Sequence, residues 1–318
     1  MHSAESREKM PETDKIAILL AAYNGEKYIS DQIESLLKQT EQRWELFIHD
    51  DGSTDQTPEI IQSYEKRYPN RIHNLNGGPC GGAKNNFFYL MRNVHADYLM
   101  FCDQDDVWLP EKVEMTYRKM KKTESLYGDK KPLLVFSDLS VVNENLDLIA
   151  DRMSVYQKLD PDHIKPKDVM IQNVITGCTV MINRVLAEFA RKTNNTEKII
   201  MHDWWCALLA ACFGVVSYVD KPLVLYRQHG GNSVGAKNLN SLSYLSARIQ
   251  TPKSIRDSLT ATQKQTALFI ATYPVNDPVL HEYGELSRKN KVSRLWFYIQ
   301  NRIHKCGWKR NIGLLIWG

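Results

Sequence analysis

Residues 98–108 read YLMFCDQDDVW: an unbroken apolar run that meets the acidic cluster Asp103-Gln104-Asp105-Asp106. A run without alternation is what a strand covered on both faces requires, and such strands belong to sheets sandwiched between helices. At the carboxyl end of the strand the side chains leave the sheet. Carboxylates gathered there are costly to bury unpaired, so they want a cation or a polar ligand.

The same grammar repeats outward from this stretch. Residues 16–22 are apolar throughout, and residues 44–48 make a second strand that leads to Asp50-Asp51. Between them a helix is expected over residues 27–38, because Ile29, Ile33, Leu36 and Leu37 share one face. A further helix should start with Thr57 as its cap and Pro58 at its first position, bury Ile60, Ile61, Tyr64 and Tyr68, and stop at Pro69. A short strand at 71–75 precedes the glycine-rich residues 77–82. The next helix then buries Phe87, Leu90, Met91 and Val94. Pro110 opens another helix. Residues 133–136 and 177–182 read as later strands, and 215–219 with 223–226 as two shorter ones. The apolar residues around 204–216 read as a buried helix running into a strand. The expectation is an α/β domain with a mixed, mainly parallel sheet flanked by helices over residues 14–235. It is preceded by a polar tail at 1–13 and followed by a helical region at 236–318, where strand signals vanish.

Composition narrows the function. With 43% hydrophobic and 25% charged residues in 318, the chain is neither disordered nor collagenous. The 41 Lys plus Arg exceed the 37 Asp plus Glu by only 4, too little for a nucleic-acid footprint spread over the surface. Cys80, Cys102, Cys178, Cys206, Cys212 and Cys306 contain no CxxC pair, so reduced, buried thiols are expected rather than a zinc site or a disulfide framework. The N-terminal residues are polar and lack the apolar core of a leader, and no apolar run reaches spanning length, so a cytoplasmic location is expected.

Asp103-x-Asp105 offers two carboxylates on one side of a tight turn, a donor set suited to Mg²⁺ or Mn²⁺ with positions left for phosphate. Residues 77–82, followed by Lys84, bring either backbone N–H groups and an ammonium to a phosphate, or a plain connector. Asp203 heads an apolar helix, where it is either a helix cap or a carboxylate poised for proton transfer. His202 beside it reads as a polar loop residue or a group that tunes Asp203.

Taken together, AAYNGEKYI (residues 21–29), DDGSTDQT (50–57), YLMFCDQDDVW (98–108), MHDWW (201–205) and YRQHGGNSVG (226–235) resemble, in order and spacing, the family-2 glycosyltransferases of GT-A fold. The resemblance covers residues 14–235 and implies specific roles. Ala21, Tyr23, Asn24, Asp51, Lys84, Asp103, Gln104 and Arg227 would bind a nucleotide-sugar donor, with Tyr23 stacking near the base and Asp51 accepting from a pyrimidine. Asp105, with Asp103 and His229, would hold Mn²⁺ or Mg²⁺. Asp106, Trp108, His202 and Trp204 would line the sugar or acceptor pocket, and Asp203 would be the catalytic base. Two departures from the family stand out: His202, where many relatives carry an acid, and Lys84-Asn85, where an Arg-Asn pair is usual. The motifs look most like the branch with rhamnosyltransferases of bacterial surface polysaccharide synthesis. That branch implies an inverting enzyme with dTDP-rhamnose or a UDP-hexose as donor and a glycan or lipid-linked acceptor.

Two rival readings remain at this level. Asp103-Gln104-Asp105-Asp106-Val107 also resembles the nucleophile signature of haloacid-dehalogenase-like phosphatases, although that motif normally ends the first strand of its domain. A non-catalytic sugar-nucleotide-binding protein would keep the fold without needing Asp203. The last 31 residues add a separate signal: residues 288–318 hold eight Lys or Arg and no acid, so the rest carries 33 basic against 37 acidic residues. With Trp296, Phe297, Tyr298, Trp308 and Trp317 interleaved, this segment suits either an anionic membrane surface or a helix docking its aromatics on the body. The oligomeric state is left open.

Overall fold

The computed structural model describes residues 14–229 and 252–317. The tail at 1–13, the boundary at 235 and the end of the 226–235 motif lie outside the described residues.

The first strand, β1 (Ile16–Ala22), is buried nearly throughout. It is followed by α1 (Ile29–Leu37), β2 (Trp44–Asp50), α2 (Thr57–Arg67), β3 (Ile72–Asn74), α3 (Ala83–Asn93) and β4 (Tyr98–Asp103). Then come β5 (Val107–Trp108), α4 (Lys112–Tyr127), β6 (Leu133–Val142), β7 (Leu148–Ala150), the one-turn helices α5 (Met153–Tyr156) and α6 (Pro166–Val169), and β8 (Met181–Asn183). The chain continues through α7 (Arg184–Arg191), α8 (His202–Phe213) and β9 (Val215–Arg227). Four further helices are α9 (Pro252–Thr272), α10 (Pro278–Glu285), α11 (Lys291–Gln300) and α12 (Trp308–Trp317).

The sheet order is β3-β2-β1-β4-β8-β6-β9-β5, with β7 on β6. The pairs β3/β2, β2/β1, β1/β4 and β6/β9 are parallel, and those involving β8, β5 and β7 are antiparallel. Period-two side-chain alternation makes two cores. Ile16, Ile18 and Leu20 of β1 with Tyr98, Met100 and Cys102 of β4 face α1 and α4, while Ala17, Leu19, Leu99 and Phe101 face α3, α7 and α8. The second core continues without a break into Phe269, Tyr273, Leu280, Tyr283 and Phe297, because α8 is apolar all round and lies between the sheet and the C-terminal helices. Trp205 meets Phe269 edge-on at 5.3 Å.

Three local expectations change. Thr57 is the first helical residue rather than the cap; its hydroxyl donates to Asp55 at 2.6 Å and accepts from the Gly25 N–H at 2.7 Å, and Asp55 receives the Thr57 N–H. Residues 177–179 form a 3₁₀ turn, so the strand begins at Met181. The two short strands at 215–226 are one bent strand, β9, whose pairing with β6 shifts register around Pro222, where a residue without an N–H is tolerated.

Candidate active site

β1 connects outward to β2 on one side and is flanked by β4 on the other, so the sheet order reverses between β1 and β4. At such a switch point the loops diverge and leave a crevice at the strand ends. Register puts Ala22 opposite Asp50 and Ala21 opposite Asp103, so both acidic clusters fall there. A cleft of 770 Å³ opens at this place, within the usual range for small-molecule sites. Ala21, Tyr23, Asp51, Asp103, Gln104, Asp105, His202, Asp203 and Trp204 line it.

Several of the expected ligand-binding residues make contacts that hold the cleft in shape. Gln104 pairs its side-chain amide with the Tyr23 backbone, accepting from N–H and donating to C=O at 2.8 Å each. A Cβ on Gly25 would come within 2.3 Å of Gln104 Oε1, so this clamp requires glycine at 25. Asn24, at φ 47°, sits in the left-handed region that Asn tolerates better than most residues. Its Oδ1 accepts from Thr54 N–H at 2.8 Å, and it does not line the cleft. Above this clamp the Tyr23 ring is 55% exposed at the mouth.

Asp51 binds the glycine-rich loop. Its carboxylate accepts the backbone N–H groups of Cys80, Gly81 (3.1 Å) and Gly82 (2.5 Å). Those N–H groups are therefore directed at Asp51, which corrects the reading of the loop as a phosphate cradle. Lys84 is corrected with it: its ammonium donates to the Thr196 and Ile199 carbonyls at 2.8 Å each, tying α3 to the approach of α8, and it is outside the cleft lining.

The acidic loop is fastened from beneath by Arg227, at the end of β9. Its guanidinium donates to Asp105 O (2.8 Å), Glu144 O (2.7 Å) and Asp31 Oδ2 (2.9 Å) and lies over the Tyr28 ring. It is buried and organises Asp105 rather than lining the cleft. Asp106 also turns inward, fully buried, with Oδ1 accepting from Arg227 N–H at 3.1 Å. Burial, then the charges of Asp105 and Asp103, push its carboxyl well above the ordinary range. Trp108 is a core residue with Lys112 Nζ 4.3 Å from its ring centre. Asp106 and Trp108 thus leave the sugar pocket and become its support.

Asp103, Asp105 and Asp203 remain directed at the cleft. Burial raises the Asp103 carboxyl, and the charges of Asp105 and Asp203 raise it further. Asp105 Oδ2 lies 2.8 Å from His229 Nε2. Carboxylate oxygens with an imidazole at their edge have the ligand chemistry of a hard divalent cation, with the donor atoms of Asp103, Asp105 and His229 not all within 4.8 Å of one another. Asp103 and Asp106 come within 4.8 Å of the Cys178 thiol, but that buried sulfur is a soft ligand and does not suit such an ion.

Asp203 stands in the first turn of α8. Met201 is the cap residue, so the helix-cap reading of Asp203 is set aside. Its carboxylate accepts from Trp204 N–H (2.6 Å) and Asn173 Nδ2 (3.3 Å), and burial nevertheless pushes it up to about 6. His202 is no loop residue. It begins α8, stacks on Phe87 at 3.9 Å, meets Phe101 edge-on, and burial pulls it down to about 3, so the ring is neutral. Trp204 Nε1 donates to the Val169 carbonyl at 2.6 Å, holding the 169–177 segment against α8.

That segment, together with α5, supplies the lining that sequence reasoning missed: Asn173, Thr176, Met153 and Gln157. No motif or period in the sequence singles these residues out: Asn173 shares the stretch 169–175 with a second polar residue, Gln172.

Residues 17–129 match the model of the glycosyl transferase family 2. A dTDP-rhamnosyl transferase of Shigella flexneri, RfbG, is 31% identical over 229 residues, covering 68% of this chain and 74% of the relative. Among solved structures, S. aureus TarS in complex with UDP-GlcNAc superposes with a TM-score of 0.53 at 17% identity, over 79% of this chain and 66% of that one. A mannosyltransferase of Pyrobaculum calidifontis in complex with GDP-Man and Mn²⁺ gives 0.52 at 14% identity, over 91% and 73%. The family match and the relation to RfbG, a glycosyltransferase by name, displace the phosphatase reading. With the cleft at the β1/β4 switch point and an extensive match to RfbG, the chain belongs to glycosyltransferase family 2 and has the GT-A fold.

Proposed function

We propose that the protein transfers a sugar from a nucleotide-sugar donor to an acceptor hydroxyl with inversion, in the synthesis of a bacterial surface polysaccharide. The observation that carries this reading is Asp203, a desolvated carboxylate in the same cleft as Asp103 and Asp105. An acceptor hydroxyl is a weak nucleophile at neutral pH, and a carboxylate with raised proton affinity takes its proton as attack develops. The acceptor oxygen bonds to the anomeric carbon, the bond from that carbon to the phosphate oxygen breaks, the proton passes to Asp203, and a nucleoside diphosphate leaves.

Asp105, with Asp103 and His229, would hold Mn²⁺ or Mg²⁺, which supplies charge neutralisation for the leaving diphosphate. Tyr23 offers a ring face for the base, and the free capacity of Asp51 Oδ2 is available to a pyrimidine N–H. The match to RfbG supports dTDP-rhamnose as first donor and a UDP-hexose as second. The acceptor proposed is a glycan or a lipid-linked sugar.

The test is a panel of nucleotide sugars, assayed for binding and hydrolysis with and without Mn²⁺, with Asp105→Ala as control. One donor should bind in a metal-dependent way that the variant loses. If the wild-type protein binds none of them with metal present, the proposal fails.

A further inference from the structure

The helices α11 and α12 are apolar on two sides. Their inner sides seat Phe297, Tyr298 and Leu314 in the core. Their outer sides carry Val292, Trp296 and Ile299 on α11, at i, i+4 and i+7, and Trp308, Ile312, Leu315 and Ile316 on α12 at the same spacing. Trp296 is 65% and Trp308 64% exposed. A surface helix ordinarily presents polar residues outward, and uncovered apolar stripes of this size mark interaction sites. None of these residues lines the active cleft.

We infer that this helix pair is a docking face for the surface of an anionic lipid bilayer. Charge selects the occupant. Residues 288–318 carry eight basic residues and no acid, while the rest of the chain has an acidic excess. Tryptophans fit the headgroup layer, aliphatic side chains fit the acyl boundary below it, and Lys and Arg meet lipid phosphates. A second copy of the chain fits less well, because a two-fold contact would set the same basic patch against itself. No helix among the described residues is long and apolar enough to cross a membrane, so the association is with the surface.

The full chain is mixed with vesicles of phosphatidylcholine alone or with added phosphatidylglycerol, and flotation is measured at low and high salt. It should float with the anionic vesicles only, and high salt should release it. Trp296→Ser combined with Trp308→Ser should abolish flotation while the urea midpoint stays that of the wild type, since both side chains are largely exposed. Lys291→Gln should weaken partitioning about fivefold, the change that corresponds to about 1 kcal/mol per basic residue near the surface. No flotation, or flotation indifferent to phosphatidylglycerol and to the tryptophan pair, overturns the inference. So does a concentration-dependent dimer in sedimentation that the same double variant dissociates, which would assign the face to a second copy.

Discussion

Replacing Asp203 by Asn removes a charge and keeps the shape, and the structure sets both the sign and the size of the result. Burial raises this carboxyl from 3.8 to about 6, so the folded protein holds the proton more tightly than the unfolded chain does. Between these limits the native state binds more protons, and stability falls as pH rises. The penalty is absent below about pH 4 and complete above about pH 6, where it amounts to about 3 kcal/mol. The amide never ionises and escapes it. Its oxygen can keep the Trp204 N–H, but its NH₂ then faces Asn173 Nδ2. Asn173 cannot turn to oblige, because its own amide is fixed by Ile175 N–H and C=O. That mismatch costs about 1 kcal/mol.

Asp203→Asn should therefore be about 2 kcal/mol more stable than wild type near pH 8 and about 1 kcal/mol less stable near pH 4, while turnover falls by about 10² or more. Urea unfolding at the two pH values measures the first pair of numbers and sugar release the last. Wild-type turnover should fall on the acid side as the base protonates around pH 6. Equal destabilisation at both pH values would refute the desolvation argument, and turnover above a tenth of wild type would remove Asp203 as the base.

Arg227→Lys leaves one ammonium where three fixed acceptors are held, and should cost about 2–4 kcal/mol in urea unfolding and lower kcat by releasing the Asp105 carbonyl. Asp51→Asn replaces one acceptor oxygen of the 80–82 loop by a donor; donor KM should rise by about tenfold with kcat largely kept, and stability should drop by about 1–2 kcal/mol in the same assay. Gly214→Ala would place a methyl 1.7 Å from the Pro132 carbonyl oxygen, a contact with backbone that cannot yield. The variant should lose more than about 3 kcal/mol or fail to accumulate in folded form, as read by circular dichroism and yield.

The central strands were legible because burial on both faces forbids polar residues, and β1 and β4 contain none before their last positions. β9 reads as two strands because Asp220-Lys221-Pro222 interrupts the apolar pattern, whereas the strand is bulged there and continues. The location of the site was legible for a related reason: acids at adjacent strand ends have few structural explanations. Direction was not legible. After Asp105 the chain turns, and nothing in the order Asp105-Asp106-Val107-Trp108 says that Asp106 and Trp108 point into the core. The 173–176 lining was invisible because those side chains reach the cleft from an irregular segment, without period or motif. The C-terminal aromatics were read as either membrane-facing or packed, and the structure divides them: Phe297 and Tyr298 are core, Trp296 and Trp308 are not.

The family motifs acquire a physical division of labour from this geometry. Asn24, Asp51, Gln104 and Arg227 each join segments distant in sequence: 24 to 54, 51 to 80–82, 104 to 23, and 227 to 31, 105 and 144. Apart from the Arg227–Asp31 ion pair, these links run to backbone groups, which have the same shape whatever side chains surround them. Such residues are needed because the carboxylates they surround repel one another, and a loop bearing Asp103, Asp105 and Asp106 would splay if held only by apolar contacts. The clamps hold that repulsion in place and keep Asp103 and Asp105 at the cleft, while the raised proton affinity of Asp203 comes from its own burial. Loosening a clamp should therefore weaken donor and metal binding together, even where the substituted residue touches neither.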